Sequence, residues 1–157
     1  MNFKIKFITL IFLSIMLLAC GFQLRGSISA DFESIQIYGG SPGLNNHLIK
    51  RFKQANIKVN EKDPEKFLEI LQDQLDKRIL SLNSSGSVKE YELNYVVSFR
   101  YKSSNQSWSN EIKKEISRDY TYDDNDRVAK ELEEKNLVQG MRDEIVRSIV
   151  SQISVSR

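Results

Sequence analysis

The only cysteine of the chain, Cys20, directly follows a short apolar segment at the N-terminus. The stretch Met1–Lys6 carries two lysines, and Phe7–Leu18 has twelve residues without a charge. At ~1.5 Å per residue, a helix of that length is well short of a bilayer core of ~30 Å. A basic stretch before a short apolar one is typical of a secretory signal peptide rather than a membrane span. We therefore expect residues 1–19 to be cleaved and residues 20–157 to form one mature domain.

The end of this segment, Leu17-Leu18-Ala19-Cys20, resembles the bacterial lipobox. The resemblance implies a diacylglycerol on the sulfur of Cys20 and a third acyl chain, such as palmitate, on its freed amine. Two or three chains hold a protein stably on a bilayer, because each buried CH₂ contributes ~0.8 kcal/mol. Gly21, a residue other than Asp, implies sorting to the periplasmic side of the outer membrane. The alternative is an ordinary signal peptide followed by a free thiol or a core cysteine.

The charge balance and the scarcity of cysteine and histidine exclude several classes of protein. The chain has 23 Lys plus Arg and 21 Asp plus Glu; without Lys4 and Lys6 of the signal segment the counts are 21 and 21. A neutral chain is not a typical nucleic-acid binder. One cysteine and one histidine exclude an intramolecular disulfide, a thiolate zinc cluster and a histidine-rich metal site. We expect no metal and no cofactor apart from the covalent lipid.

No catalytic motif is present in the sequence, which has no GxSxG elbow, P-loop, GxGxxG or HExxH. His47 lies beside apolar neighbours on a predicted helix, and we interpret it as a boundary residue rather than a base. The acidic cluster Asp123, Asp124 and Asp126 lacks the layout of a Ca²⁺ loop and is interpreted as a helix cap and turn. Nothing in the sequence points to an enzyme.

Hydrophobic periodicity predicts most of the secondary structure. A period of two and a period of 3.6 distinguish strands from helices. In order, the pattern predicts a strand at 34–38, a helix at 43–56 with Ser41 as N-cap and Pro42 in its first turn, a strand from Tyr91 to Lys102, a strand at 110–122 and a helix at 126–153. Two details are unusual: Lys114 and Arg118 share the nominal inner face of their strand, and Gly140 interrupts the last helix, for which close approach to the sheet would be a sufficient reason.

The segment 65–82 is ambiguous. Phe67, Leu71, Leu75 and Ile79 recur every four residues, which favours a helix, although every fourth residue also lies on one face of a strand. The later strand has a clear inner face of Tyr91, Leu93, Tyr95, Val97, Phe99 and Tyr101, which we interpret as core rather than as a ligand platform.

The stretch Cys20–Gly26 (CGFQLRG) resembles the mature start of the LptE family of lipopolysaccharide-assembly lipoproteins. Glu90-Tyr91 before a long strand and Tyr122-Asp123 after the next are similar to the same family. The resemblance implies an α+β fold: a two-layer sandwich with a mixed four-stranded sheet, two helices packed on one face and the order β-α-β-β-β-α. It also implies a strand at 66–80, against the helical spacing.

The resemblance also implies a role: a complex with the outer-membrane β-barrel LptD, in which the lipoprotein is plug and assembly partner and takes part in lipopolysaccharide transport. Expected partners are LptD, lipopolysaccharide and the outer membrane, with no nucleic acid. Lys and Arg pair with phosphate groups, and the candidate lipopolysaccharide contacts are Lys77, Arg78 and Lys89 near the turn 81–87, and Arg127 and Lys130 at the start of the last helix. The alternatives are a free-standing periplasmic lipoprotein that binds a small apolar or acidic ligand, and a lipoprotein enzyme.

Overall fold

The computed structural model describes residues 30–155. The expected signal peptide and the acylation site Cys20 lie outside these residues. The strands are β1 (Ser34–Gly39), β2 (Lys58–Val59), β3 (Lys66–Leu82), β4 (Val88–Ser103) and β5 (Ile112–Thr121), and the helices are α1 (Pro42–Gln54) and α2 (Arg127–Val155), the latter preceded by a 3₁₀ turn at Asp124–Asp126. In the described range, no helix is long and apolar enough to cross a membrane.

The sheet is mixed and has five strands in the order β2-β1-β3-β4-β5, so the expectation of four strands is wrong. β1 pairs in parallel with β2 and β3, and β3, β4 and β5 are antiparallel. The additional strand, β2, has only two residues, and its ladder bonds run from Lys58 N to Glu33 O (2.8 Å) and from Asn60 N to Ile35 O (2.9 Å). Two residues are too few for alternation to appear in a sequence.

Helix α1 begins where its capping residues predict. The Oγ of Ser41 accepts a hydrogen bond from Leu44 N at 3.2 Å, and Pro42 occupies the first turn, where its missing N–H costs nothing. Leu44, Leu48 and Phe52 are fully buried and recur at helical spacing. The expected amphipathic helix is therefore confirmed, and it joins the core with one face.

Strand β3 confirms the strand that the family resemblance implied for this segment. Its first half shows the alternation of buried positions that is expected of a strand. Lys66, Leu68 and Ile70 alternate as buried positions over the core. A shift in the β3–β4 register between Ile70 and Gln72 then ends this part of the strand. The apolar residues beyond it, such as Leu75, are exposed, so their spacing is not set by a core face. The spacing of four residues in the sequence therefore does not mark a buried helix face.

Strand β4 lies between β3 and β5, and the predicted face from Tyr91 to Tyr101 points to the helices. Its register with β5 runs without a shift, so Arg118 lies opposite Leu93 on the inner side. Arg118 Nη2 binds Glu144 Oε2 of α2 at 2.7 Å. The charged residue on the inner face thus has a partner on the helix that crosses it.

Helix α2 packs against α1 and the sheet with its C-terminal two thirds. The buried residues recur from Val138 to Ile153, as the sequence predicts. Val128 and Leu132, which the pattern also assigned to the buried stripe, are 81% and 58% exposed, so that part of the prediction is wrong. The expectation for Gly140 is wrong as well, because a Cβ built there meets nothing within 4 Å. The first turns of α2 lie beyond the core.

Candidate functional site

Part of the β3–β4 hairpin extends beyond the end of β1; we call residues 71–91 the arm. β1 pairs only with Lys66–Ile70 of β3, so beyond Ile70 the described residues pair with β3 only through β4. The arm exposes large apolar side chains along this edge, including Ile79 (56%) and Leu82 (55%). A long strand edge with exposed apolar residues is a template for pairing or docking with another chain.

A second apolar surface lies beside the first turns of α2. An open groove of about 550 Å³ runs between α2 and the edge of β5, and its lining includes Arg118, Leu132, Leu137, Gly140 and Met141. The groove and the arm are at the same end of the molecule, since the Tyr122 N–H donates to Lys89 O at 2.8 Å, which joins the end of β5 to the start of β4. One end of the domain therefore carries most of the exposed apolar surface.

A polar network joins the arm to α2. Glu134 Oε2 accepts hydrogen bonds from Lys77 Nζ at 2.6 Å and from the hydroxyl of Tyr120 at 2.5 Å. The ammonium of Lys77 also lies 4.1 Å from the ring centre of Tyr91. Burial alone would lower the pKa of Lys77, but its bonds to Glu134 and Tyr120 raise it above the usual range. Burial, then the bond to Glu134, raises the pKa of Tyr120 to about 12.

A second network fixes the base of the arm to the start of α1. Asp73 accepts hydrogen bonds from Ser41 N at 2.7 Å and from the Tyr95 hydroxyl at 2.6 Å. Burial opposes ionisation of Asp73, but these bonds outweigh it and hold its pKa below the usual value. The sequence analysis missed this contact, because Asp73 lies in the segment whose pattern favoured a helix.

The five predicted lipopolysaccharide contacts are all near this end of the domain, but they do not share one face. Lys77 points to the helices, whereas Arg78 points to the opposite side of the sheet and pairs with Glu92, as neighbouring strand residues must. Arg127 and Lys130 lie on the first turns of α2, and each pairs with a glutamate of the same helix.

Lys89 is the exception among the five, since its side chain has no ion-pair partner within residues 30–155. Four of the five cations are thus already neutralised by a carboxylate. A phosphate group that binds at Lys77, Arg78, Arg127 or Lys130 must compete with that carboxylate. The placement of these cations leaves lipopolysaccharide binding a prediction.

His47 is half-buried, and its Nδ1 lies 2.7 Å from Asp143 Oδ1, which fits the interpretation as a boundary residue. Asp123 caps the 3₁₀ turn, where its Oδ1 accepts from Asn125 N at 3.0 Å, which confirms its predicted capping role. Among the described residues, no group of three or more His, Cys, Asp or Glu side chains could hold a metal ion.

Comparison with known families decides the assignment. Residues 32–153 match the LptE family model, whose description is lipopolysaccharide-assembly. The chain belongs to the LptE family. The match spans every strand, the whole of α1 and α2 as far as Ile153, so it covers the arm, the groove and the two polar networks.

Solved structures of lipoproteins resemble this LptE-family chain. Lipoprotein B from Nitrosomonas europaea is 31% identical, with a TM-score of 0.69 over 85% of this chain and 90% of that one. Rare lipoprotein B from Shewanella oneidensis is 27% identical, with a TM-score of 0.67 over 77% of this chain and 93% of that one. A minor lipoprotein from Acinetobacter baumannii, 16% identical, shares the fold, with a TM-score of 0.64 over 80% of this chain and 92% of that one. The chain matches no curated protein.

Proposed function

We propose that this LptE-family protein is an outer-membrane lipoprotein, anchored through acylated Cys20, that forms a complex with the β-barrel LptD. In that complex it is the plug and assembly partner of the barrel and takes part in lipopolysaccharide transport to the cell surface. It is not an enzyme, and its work is binding and assembly. The observation that carries the proposal is the arm, whose outer strand edge pairs with no other strand of residues 30–155 and whose apolar side chains are exposed.

A plug must fold before it meets its barrel, so it needs its own core. One cluster of buried residues from the sheet and both helices supplies that core, with Phe52, Tyr95 and Phe99 among its largest members. A barrel lumen is polar, so a plug surface should carry charges of both signs. The surface ion pairs of this domain, such as Arg118–Glu144 and Lys113–Glu115, suit that environment.

The arm is the surface that we expect to contact the barrel. Its free edge offers backbone N–H and C=O groups to a neighbouring strand, and alternate apolar side chains can enter pockets on either side. A substitution of Ile79 and Leu82 by Asp removes apolar contacts without touching the core, because both side chains are more than half exposed.

The test is recovery of the barrel with the acylated protein in mild detergent. Ile79→Asp/Leu82→Asp should reduce the recovered barrel at least about tenfold, which corresponds to ~1.4 kcal/mol. Tyr38→Asp is the control outside the arm, since Tyr38 is 47% exposed and lies on β1, where it pairs with Glu69 of β3. Thermal unfolding of each variant checks the fold. Full recovery of the barrel by a folded arm variant would remove the arm from the proposed interface.

For lipopolysaccharide, the candidates remain Lys77, Arg78, Lys89, Arg127 and Lys130. Substitutions of Lys89 and Arg127 are the easiest to interpret, because both residues are exposed and neither belongs to the network around Glu134. Lys89→Glu/Arg127→Glu should weaken lipopolysaccharide binding, whereas Lys62→Glu, an exposed cation in the turn before β3, should not. An unchanged affinity in the double variant would remove these two residues from the candidates.

The open groove supports a second candidate, a free-standing lipoprotein that binds a small apolar or acidic ligand. Its volume of about 550 Å³ is in the range of ~300–1,000 Å³ that is common for small-molecule pockets. Leu132→Asp places a charge in the groove and leaves the arm intact. Loss of barrel recovery in this variant would assign the groove to the interface, whereas recovery of the wild-type protein as a lone monomer would favour the ligand-binding alternative.

A further inference from the structure

A polar cleft lies between the two helices, and its lining comes from α1 and α2. Its volume is about 220 Å³. One wall is the stripe of α1 at positions 47, 50, 51 and 54, and the other is the stripe of α2 at 143 and 147; both follow the i, i+3, i+4 spacing that puts side chains on one helix face. The polar side chains in these walls are His47, Lys50, Arg51, Gln54, Asp143 and Arg147, and Val146 of α2 adds an apolar one.

The cleft has a surplus of positive charge. Lys50, Arg51 and Arg147 are cationic, and none of them has an ion-pair partner within residues 30–155. The carboxylate in the lining, Asp143, is already engaged by His47 at 2.7 Å. The lining therefore carries three cations and one carboxylate, a formal surplus of two positive charges with His47 neutral, whereas most of the cations near the arm are each paired with a carboxylate.

Arg51 adds a second observation. Its Nε is buried, and no hydrogen-bond acceptor for it lies among the described residues. A buried donor without an acceptor costs ~1–3 kcal/mol, more for a charged group, and native structures leave few of them. Because Nε is itself shielded from solvent, an anion in the cleft supplies that acceptor once the Arg51 side chain turns toward the cleft.

We propose that this cleft binds a phosphate group, as inorganic phosphate or as the phosphate of a lipid head group. Guanidinium groups match the geometry of phosphate oxygens with paired N–H donors, and lysine adds a point charge. The volume is below the ~300–1,000 Å³ that is usual for drug-sized ligands, and the lining is polar, so the cleft suits a head group and not its acyl chains.

The position of the cleft makes a lipid phosphate accessible. Phe52, at the C-terminal end of α1, packs edge to face on Phe32 with ring centres 6.4 Å apart, so the cleft-bearing end of α1 is close to the start of the described chain. Ala30 follows Cys20 by ten residues, which span at most ~33–36 Å when extended. This step rests on the proposed acylation of Cys20; the phosphate site itself does not.

The test measures binding to the mature acylated protein in neutral detergent by calorimetry, with two probes: inorganic phosphate and the short-chain lipid dihexanoyl phosphatidic acid. We expect saturable binding to the wild-type protein. In Lys50→Gln/Arg147→Gln the affinity should fall at least about tenfold, a smaller change than the loss of two charge-assisted hydrogen bonds would cause. Lys50 and Arg147 are both exposed, so this variant leaves the half-buried Arg51 unchanged. Lys53→Gln/Lys62→Gln removes the same charge outside the cleft and should bind within about twofold of wild type.

The two probes separate the sources of the phosphate. Binding of both assigns the cleft to phosphate in general, and binding of the lipid alone assigns it to a head group. No saturable binding of either probe, or an equal loss in the control variant, would overturn the proposal. The cleft variant should still recover the barrel, so failure here is distinct from failure of the proposed complex.

Discussion

Glu134→Ala should destabilise the domain more than any neighbouring surface change, because it removes the carboxylate that both Lys77 and Tyr120 bind. The Lys77–Glu134 pair is partly solvated, with side chains 36% and 29% exposed, so its loss costs about 0.5–1 kcal/mol. Tyr120 is 5% exposed, and a buried hydroxyl without an acceptor costs ~1–3 kcal/mol. The expected total is about 1.5–4 kcal/mol.

The assay is urea unfolding, with variants compared at an unchanged m-value. Glu131→Ala is the matched control on the same helix, since Glu131 pairs with Arg127 at 3.8 Å and both side chains are about 70% exposed. It should cost less than ~0.5 kcal/mol.

A double variant tests the physical reason for the larger cost. In Glu134→Ala/Tyr120→Phe the hydroxyl that lost its acceptor is gone, so this double variant should be about 1 kcal/mol more stable than Glu134→Ala alone. If Glu134→Ala costs no more than Glu131→Ala, or if Tyr120→Phe adds its own cost to Glu134→Ala, the network does not hold the arm to α2 as described.

Four further predictions concern two glycines, pH and the arm. Gly39→Ala should destabilise the domain by at least ~1–2 kcal/mol, because Gly39 has φ +71° and a Cβ there would collide with the carbonyl of Ile70. Gly140→Ala should stabilise it by about 1 kcal/mol in the same unfolding assay, because the helix gains propensity and the Cβ meets open space; an unstable Gly140→Ala protein would contradict this. Since folding raises the pKa of Tyr120 from 10.0 to about 12, stability from its neutral form is present below pH 10 and falls as pH rises from 10 to 12. Tyr120→Phe should flatten that fall. The arm variant Ile79→Asp/Leu82→Asp should unfold at nearly the wild-type temperature, since both side chains are exposed.

The parts of the fold that the sequence predicts well are those where burial imposes one period. β4 alternates in sequence apart from Val96, because it lies between β3 and β5 and its inner face packs under α2. The C-terminal two thirds of α2 and the whole of α1 are predictable for the same reason, since each buries one helical stripe. The N-cap at Ser41 is a local signal for the start of α1 and does not depend on packing against the rest of the domain.

The errors occur where the chain leaves the core. β3 beyond Ile70, and Val128 and Leu132 of α2, carry apolar residues whose spacing reflects no buried face of the isolated domain. Pattern analysis assigns such residues to the core because it has no means to distinguish a core from an interface. β3 beyond Ile70 lies in the arm and Leu132 lines the groove, so the places where the pattern misleads mark the candidate partner surface.

The candidate cations show a different limit. Adjacent positions 77 and 78 appear as one basic pair in the sequence, but a strand sends them to opposite faces. The cleft at Lys50, Arg51 and Arg147 was not predicted as a site, because its walls come from helices almost a hundred residues apart in the chain. Only the packing of α1 on α2 brings these charges together.

The most direct test of the central claim is purification of the acylated wild-type protein from its membrane in mild detergent, followed by identification of what remains bound. The account predicts a stoichiometric outer-membrane barrel whose mobility changes on heating, and its loss in Ile79→Asp/Leu82→Asp. Recovery of the folded, acylated protein as a lone monomer would contradict the account.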